Sequence, residues 1–149
     1  MLRLLNEPSF IEFIGDRDVR SLDDARRYLR EGPMTSYRAH GHGLLRISLK
    51  TDDTPIGMCG LVKRDTLPDP DIGFALLPEH WEQGYVNEAA KAAMKHGKRV
   101  LGLSTILGVT SPDNVRSIAV HRKLGLRFIE EKPLGDKPQL LTIFALALK

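Results

Sequence analysis

The chain has 149 residues, 42% of them apolar and 28% charged, with a formal net charge of +3. That suits one domain with one hydrophobic core, spanning 1–149. No apolar run approaches the ~20 residues of a membrane span, and Lys and Arg alternate with Asp and Glu rather than forming the blocks a nucleic-acid surface needs. Cys59 is the only cysteine, so neither an internal disulfide nor a cysteine zinc site can form. Polar Asn6-Glu7-Pro8 follows Met1–Leu5, which does not read as a secretory leader. The expectation is a cytoplasmic protein.

In chain order, Asn6–Ile14 reads as a short helix ending at Gly15. Ser21-Leu22-Asp23-Asp24 resembles a capping box, with Asp where Glu or Gln is usual. It opens a helix over Leu22–Arg30, which Glu31-Gly32-Pro33 stops. His40-Gly41-His42-Gly43 reads as a glycine turn, and two histidines without a nearby carboxylate do not suggest a metal site. Leu44–Lys50 and Ile56–Val62 form an antiparallel hairpin about a turn at Thr51–Pro55. Lys63–Pro70 is a polar loop. Asp71–Leu77 is a third strand, closed by Pro78, and Gly84–Arg99 is a helix. Thr105–Thr110 is a fourth strand. Ser111-Pro112-Asp113-Asn114 opens a helix with Ser or Asp as its cap and Pro in its first turn, ending at Leu124-Gly125. Arg127–Glu131 and Leu140–Leu148 are the last strands. This order predicts an α+β fold, a mixed sheet with helices packed on it. The helix between the third and fourth strands predicts a parallel crossover.

Two segments carry candidate chemistry. In Leu76–Ala89 a strand ends, a loop containing Gly84 follows, and a long helix begins. The first amides of a helix lack intrahelical partners and sit at the positive end of its dipole, which suits a phosphate. Asn114, Ser117 and His121 are spaced i, i+3 and i+7, so they share one face of their helix. Taken alone, each segment also fits a purely structural role: a strand–helix turn in one case, a cap, a solvated serine and a surface histidine in the other.

Together the segments resemble the GNAT superfamily of N-acetyltransferases. Leu-x-Pro-x-x-Trp-x-x-Gly-Tyr-x-x-Glu-Ala, at Leu76–Ala89, is similar to its acetyl-CoA pyrophosphate loop. Asn-x-x-Ser followed by Lys-Leu-Gly-Leu, at Asn114–Ser117 and Lys123–Leu126, is similar to its second cofactor motif. The Trp before the loop and the Asn-x-x-Ser after it are features of the ribosomal-protein-alanine (Rim-type) acetyltransferase subgroup. The chain departs from the family at three places. Glu82 stands where the loop usually has a second glycine, Val86 where a small residue follows the tyrosine, and only Met1–Leu5 is left for the family's first strand. That strand is either shortened or absent.

The resemblance implies a GNAT-like fold with helices on both faces of the sheet. Acetyl-CoA would lie in a cleft between two splayed parallel strands, Asp71–Leu77 and Thr105–Thr110. The backbone of Leu76 and Leu77 would pair with the pantetheine arm. The amides of Gln83, Gly84, Tyr85, Val86 and Asn87 would hold the pyrophosphate, and the Asn114 side chain would bond the pantetheine. Ser117 and His121 would stand beside the thiol, His121 in a position where a tyrosine is common. Asp71 is either a base acting through water or an ordinary strand-edge carboxylate. Trp81 would pack the loop against the sheet. The implied reaction is direct attack of a primary amine on the thioester, with no metal and no acyl-enzyme. The acceptor would be a protein N-terminus or a small amine, and the protein a monomer or homodimer. A non-catalytic acyl-CoA-binding module of the same fold is the alternative, favoured by Glu82 and the short N-terminus.

Overall fold

The computed structural model describes residues 1–149. Apolar alternation builds the sheet. Strands β1 (Leu44–Ser48), β2 (Pro55–Val62) and β3 (Asp71–Leu76) form an antiparallel meander. β4 (Thr105–Thr110) then runs parallel to β3, with β6 (Leu140–Ala147) and the edge strand β5 (Arg127–Pro133) beyond it. The strand order is β1-β2-β3-β4-β6-β5.

Both faces of this sheet are covered, because successive side chains point to opposite sides. Cys59, Leu61 and Ile72 face a core that includes Ala90 and Met94 of α5 (Tyr85–Arg99). Ile118 and Val120 of α6 (Val115–Lys123) pack against the same core. Met58 faces the other way, into a second core with Leu4, Leu5, Phe10 and Ala25. That second layer consists of α1 (Leu2–Leu5), α2 (Pro8–Phe13) and α3 (Leu22–Glu31), followed by α4 (Pro33–His40). The expected mixed sheet with helices on both faces is therefore present.

The Ser21 box forms as read: Ser21 Oγ accepts from the Asp24 amide at 3.1 Å, and Asp24 Oδ2 accepts from the Ser21 amide at 3.1 Å. Three local readings are corrected. Of the two alternatives for the first strand it is the absent one, Leu2–Leu5 being a single helical turn, and the expected helix over Asn6–Ile14 starts only at Pro8. Glu31-Gly32-Pro33 ends α3 but also starts α4, because a proline in the first turn of a helix loses no hydrogen bond. The cap of α6 is Asn114, not Ser111 or Asp113, and Pro112 lies in the turn before it.

Candidate active site

The site begins at a seam in the sheet. The Leu77 amide donates to the Ile56 carbonyl at 2.8 Å, which sets the hydrogen-bonding phase between β3 and β2. Antiparallel pairing alternates, so Ala75, Gly73 and Asp71 turn their backbone groups toward β2, and Leu76, Phe74 and Ile72 turn theirs away. On that far side the one bridge to β4 lies at Asp71 opposite Leu107, where the Leu107 amide donates to the Pro70 carbonyl at 2.9 Å. Beyond this bridge the strands part and a cleft of about 590 Å³ opens. Phe74 therefore presents both N–H and C=O to the cleft with no strand partner. Leu76 presents its N–H; its carbonyl accepts the Trp81 indole N–H at 3.0 Å. Leu77 offers nothing, since its amide is bound to Ile56 and its carbonyl accepts from His80 at 3.0 Å. The strand edge that faces the cleft is thus Phe74 and Leu76, not Leu76 and Leu77.

At the C-terminal end of β3 the chain turns into α5. Gly84 caps this helix with φ +83° and no side chain caps it. The backbone N–H groups of Gln83, Gly84, Tyr85, Val86 and Asn87 donate to no acceptor in the chain. Five amides without acceptors thus lie at the positive end of a 15-residue helix. A side chain at Gly84 would meet nothing within 4 Å, so the space beside this cap is open. Except for Gln83, the loop residues 82–87 line the cleft.

Glu82 holds φ +60°, a left-handed backbone that favours glycine, as the family pattern has it. Its carboxylate is 79% exposed and lies 3.7 Å from Arg116 Nε. The Arg116 guanidinium in turn sits 4.3 Å from the centroid of the Trp81 ring. Glu82 is therefore engaged by α6 rather than by the loop amides. Arg116 lines the cleft and the sequence reading passed over it. Its position inside Asn-x-x-Ser was the available signal, but no local spacing connects it to Trp81.

Asn114, Ser117 and His121 all reach the cleft from one face of α6. Asn114 Oδ1 accepts the Ser117 amide at 3.2 Å, which leaves its side-chain NH₂ free to donate. His121 is not the surface residue its spacing allowed. It is 1% exposed, parallel to Phe144 and tilted against Phe74, with ring centroids 5.2 and 5.3 Å away. Neither ring nitrogen has a hydrogen-bond partner. Burial pushes the imidazole down to about 4, with backbone groups of Ser117 and Ile72 opposing, so the ring is neutral near pH 7.

Asp71 stands at the seam, 1% exposed. Its carboxylate takes two hydrogen bonds from Arg64, at 2.8 Å from Nε and 3.3 Å from Nη2. Burial raises its pKa and Arg64 works against that rise. Cys59 is buried away from this cleft, its thiol pushed up to about 12 by desolvation. His42 is also buried, its Nδ1 2.9 Å from the Leu61 carbonyl, and His40 stacks on it at 5.8 Å. No three His, Cys, Asp or Glu side chains are grouped to hold a metal.

Comparison with known proteins gives this geometry a context. Residues 1–127 match the model of the acetyltransferase (GNAT) domain. An uncharacterized N-acetyltransferase of Bacillus subtilis (strain 168), YnaD, is 30% identical over 133 residues, which is 83% of this chain and 78% of that one. An acetyltransferase from Agrobacterium tumefaciens superimposes with a TM-score of 0.81 at 24% identity, covering 99% of this chain and 82% of that one. The ribosomal L7/L12 α-N-protein acetyltransferase RimL, solved with coenzyme A, superimposes at 0.74 with 17% identity, covering 87% and 75%.

Proposed function

The chain is an N-acetyltransferase of the GNAT family, and we propose that it moves an acetyl group from acetyl-CoA directly onto a primary amine, on a protein N-terminus or a small molecule. The observation that carries this reading is the row of five unpartnered amides, Gln83–Asn87, beside the open β3 edge at Phe74 and Leu76. The amides supply the charge and donors a pyrophosphate needs. Phe74 and Leu76 supply the strand-like pairing that an amide-bearing pantetheine arm accepts. The Asn114 NH₂ adds a donor from α6.

The amine must lose a proton before it attacks, since an alkylammonium has a pKa of ~10.4 and an α-ammonium ~8. Asp71 is the proposed acceptor of that proton through an intervening water, its basicity raised by burial. The developing oxyanion is assigned to a free backbone N–H of β3. The departing thiolate, pKa ~8.5, is assigned a hydrogen bond from the Ser117 hydroxyl. His121, neutral and enclosed by rings, is assigned to shaping the thiol end rather than to donating a proton. A buried thiol with a pKa near 12 makes Cys59 a poor nucleophile, which favours direct transfer.

Residues 1–149 are proposed to act as one domain, as a monomer or homodimer, in the cytoplasm. The shared sheet under both helical layers supports the first point and the lone cysteine fits the last. No helix is long and apolar enough to cross a membrane. The test combines thermal melting with and without CoA and acetyl-CoA with a mass-spectrometric amine screen. Both ligands should raise the melting temperature, by ~2.7 kcal/mol of linkage at a hundredfold excess over Kd. No shift at millimolar CoA rejects the cofactor assignment.

A further inference from the structure

One wall of the cleft comes not from the sheet but from α2, α3 and the loop between them. Phe13, Ile14 and Tyr28 make that wall apolar, and Arg17 adds a guanidinium. Arg17 has no ion pair and no hydrogen bond, unlike Arg20 three residues on. The two carboxylates beside it are directed elsewhere. Asp16 binds Arg20 at 2.5 Å, and the Asp18 charge acts on Arg20 as well. Neither lines the cleft. Tyr28 lines the same wall, half-buried and with its hydroxyl making no hydrogen bond in the chain, and the charge of Arg17 opposes the rise that burial gives its pKa.

The other charges of the cleft are mostly matched within the chain, Arg64 with Asp71 and Arg116 with Glu82. Lys123 is unpaired too, but it belongs to α6, the helix of Asn114 and Ser117. The helical wall thus carries an uncompensated cation and a free hydroxyl on an apolar surface, opposite the residues assigned to the donor. A bare ammonium gains nothing from such a wall, and a guanidinium with an adjacent hydroxyl receives a carboxylate well.

Resting on the acetyl-transfer reading, we propose that the acceptor amine carries a carboxylate and an apolar body: Arg17 and the Tyr28 hydroxyl receive the carboxylate, and Phe13 and Ile14 the body. A free amino acid and a peptide N-terminus followed by an acidic residue share this chemistry.

The test uses the full chain, acetyl-CoA and two matched acceptor pairs. Phenylalanine is compared with phenylalaninamide, and the amidated peptide Ser-Phe-Glu with Ser-Phe-Gln. In at least one pair the acid should win by about tenfold or more in kcat/KM, and the pair that responds identifies the source. Arg17→Gln should bring that ratio close to one, Arg17→Lys should restore most of it, and Tyr28→Phe should reduce it severalfold. Arg17 is exposed, so these variants test recognition rather than folding. A ratio near one in both pairs, or one that Arg17→Gln leaves intact, overturns the acceptor assignment while acetyl transfer stands. CoA binding with no product from any of the four also overturns it, because the panel contains the proposed chemistry. Absence of both product and a CoA-induced thermal shift overturns the transferase reading itself.

Discussion

The imidazole of His121 lies against the ring of Phe144, their planes 14° apart and their centroids separated by 5.2 Å. On the sheet beside it is Gly108, where a Cβ would come within 2.7 Å of His121 Nε2. The ring is packed as an aromatic residue is packed, and its two nitrogens pair with nothing.

Stability should therefore depend on pH through this residue. The folded pKa, about 4, is below the ordinary 6.5, so the unfolded chain binds the extra proton first. The contribution is complete above pH 6.5 and is lost as pH falls toward 4, amounting to about 3 kcal/mol. Asp71, with its raised pKa, acts in the opposite sense and gives some stability back in acid. Urea denaturation at pH 7.5 and pH 5 checks this. His121→Phe should lose clearly less stability between the two than the wild type; an equal loss would assign the slope to other groups.

Ser117 and His121 should separate kinetically. Ser117→Ala should lower kcat by ~100-fold or more while CoA affinity stays within a few-fold, the signature of a lost proton donor. His121→Phe should cost less than ~10-fold, because a neutral ring with a pKa near 4 has no proton to give at pH 7. Isothermal titration with CoA alongside initial rates makes the comparison. Near-wild-type turnover of Ser117→Ala would show that the thiolate leaves unaided.

Gly84→Asp should abolish the CoA-induced rise in melting temperature. The new carboxylate would stand before the five free amides and compete with phosphate for them. No packing is lost, since nothing lies within 4 Å of the new Cβ, though the φ of +83° adds strain of about 1 kcal/mol. Gly84→Ala carries the same strain without the charge and should retain a measurable shift.

Glu82→Gly should stabilise the free protein by about 1 kcal/mol, because a non-glycine residue at φ +60° is strained. It should also tighten CoA severalfold by removing a carboxylate and releasing Arg116 beside the loop. Thermal melting and titration read the two effects independently. Weaker CoA binding would mean that Glu82 serves the ligand through Arg116.

What was legible in the sequence was what is local. The Ser21–Asp24 box, the Leu76–Ala89 turn and the Asn114–His121 face each occupy a short stretch whose spacing determines their geometry. Pro33 was read only as a stop, because nothing local separates a proline that ends one helix from one that starts the next. The rest depends on distant partners. Phe74 replaces Leu77 at the cleft edge because the phase of β3 is set by Ile56 on β2. His121 is buried because Phe74, Gly108 and Phe144 close around it from three strands. The stacking of Arg116 on Trp81 joins two motifs that no periodicity relates.

The lone Asp71–Leu107 bridge also shapes the mechanics of the molecule. The sheet is two three-stranded plates, β1-β2-β3 and β4-β6-β5, joined along their common border by a single rivet. A ligand that pairs with Phe74 would fill the gap as a surrogate strand and add hydrogen bonds to a border that otherwise has one bridge, at Asp71. That residue carries the buried carboxylate assigned to the proton. The one backbone bridge between the plates thus lies at the carboxylate that the proposed chemistry needs held in place.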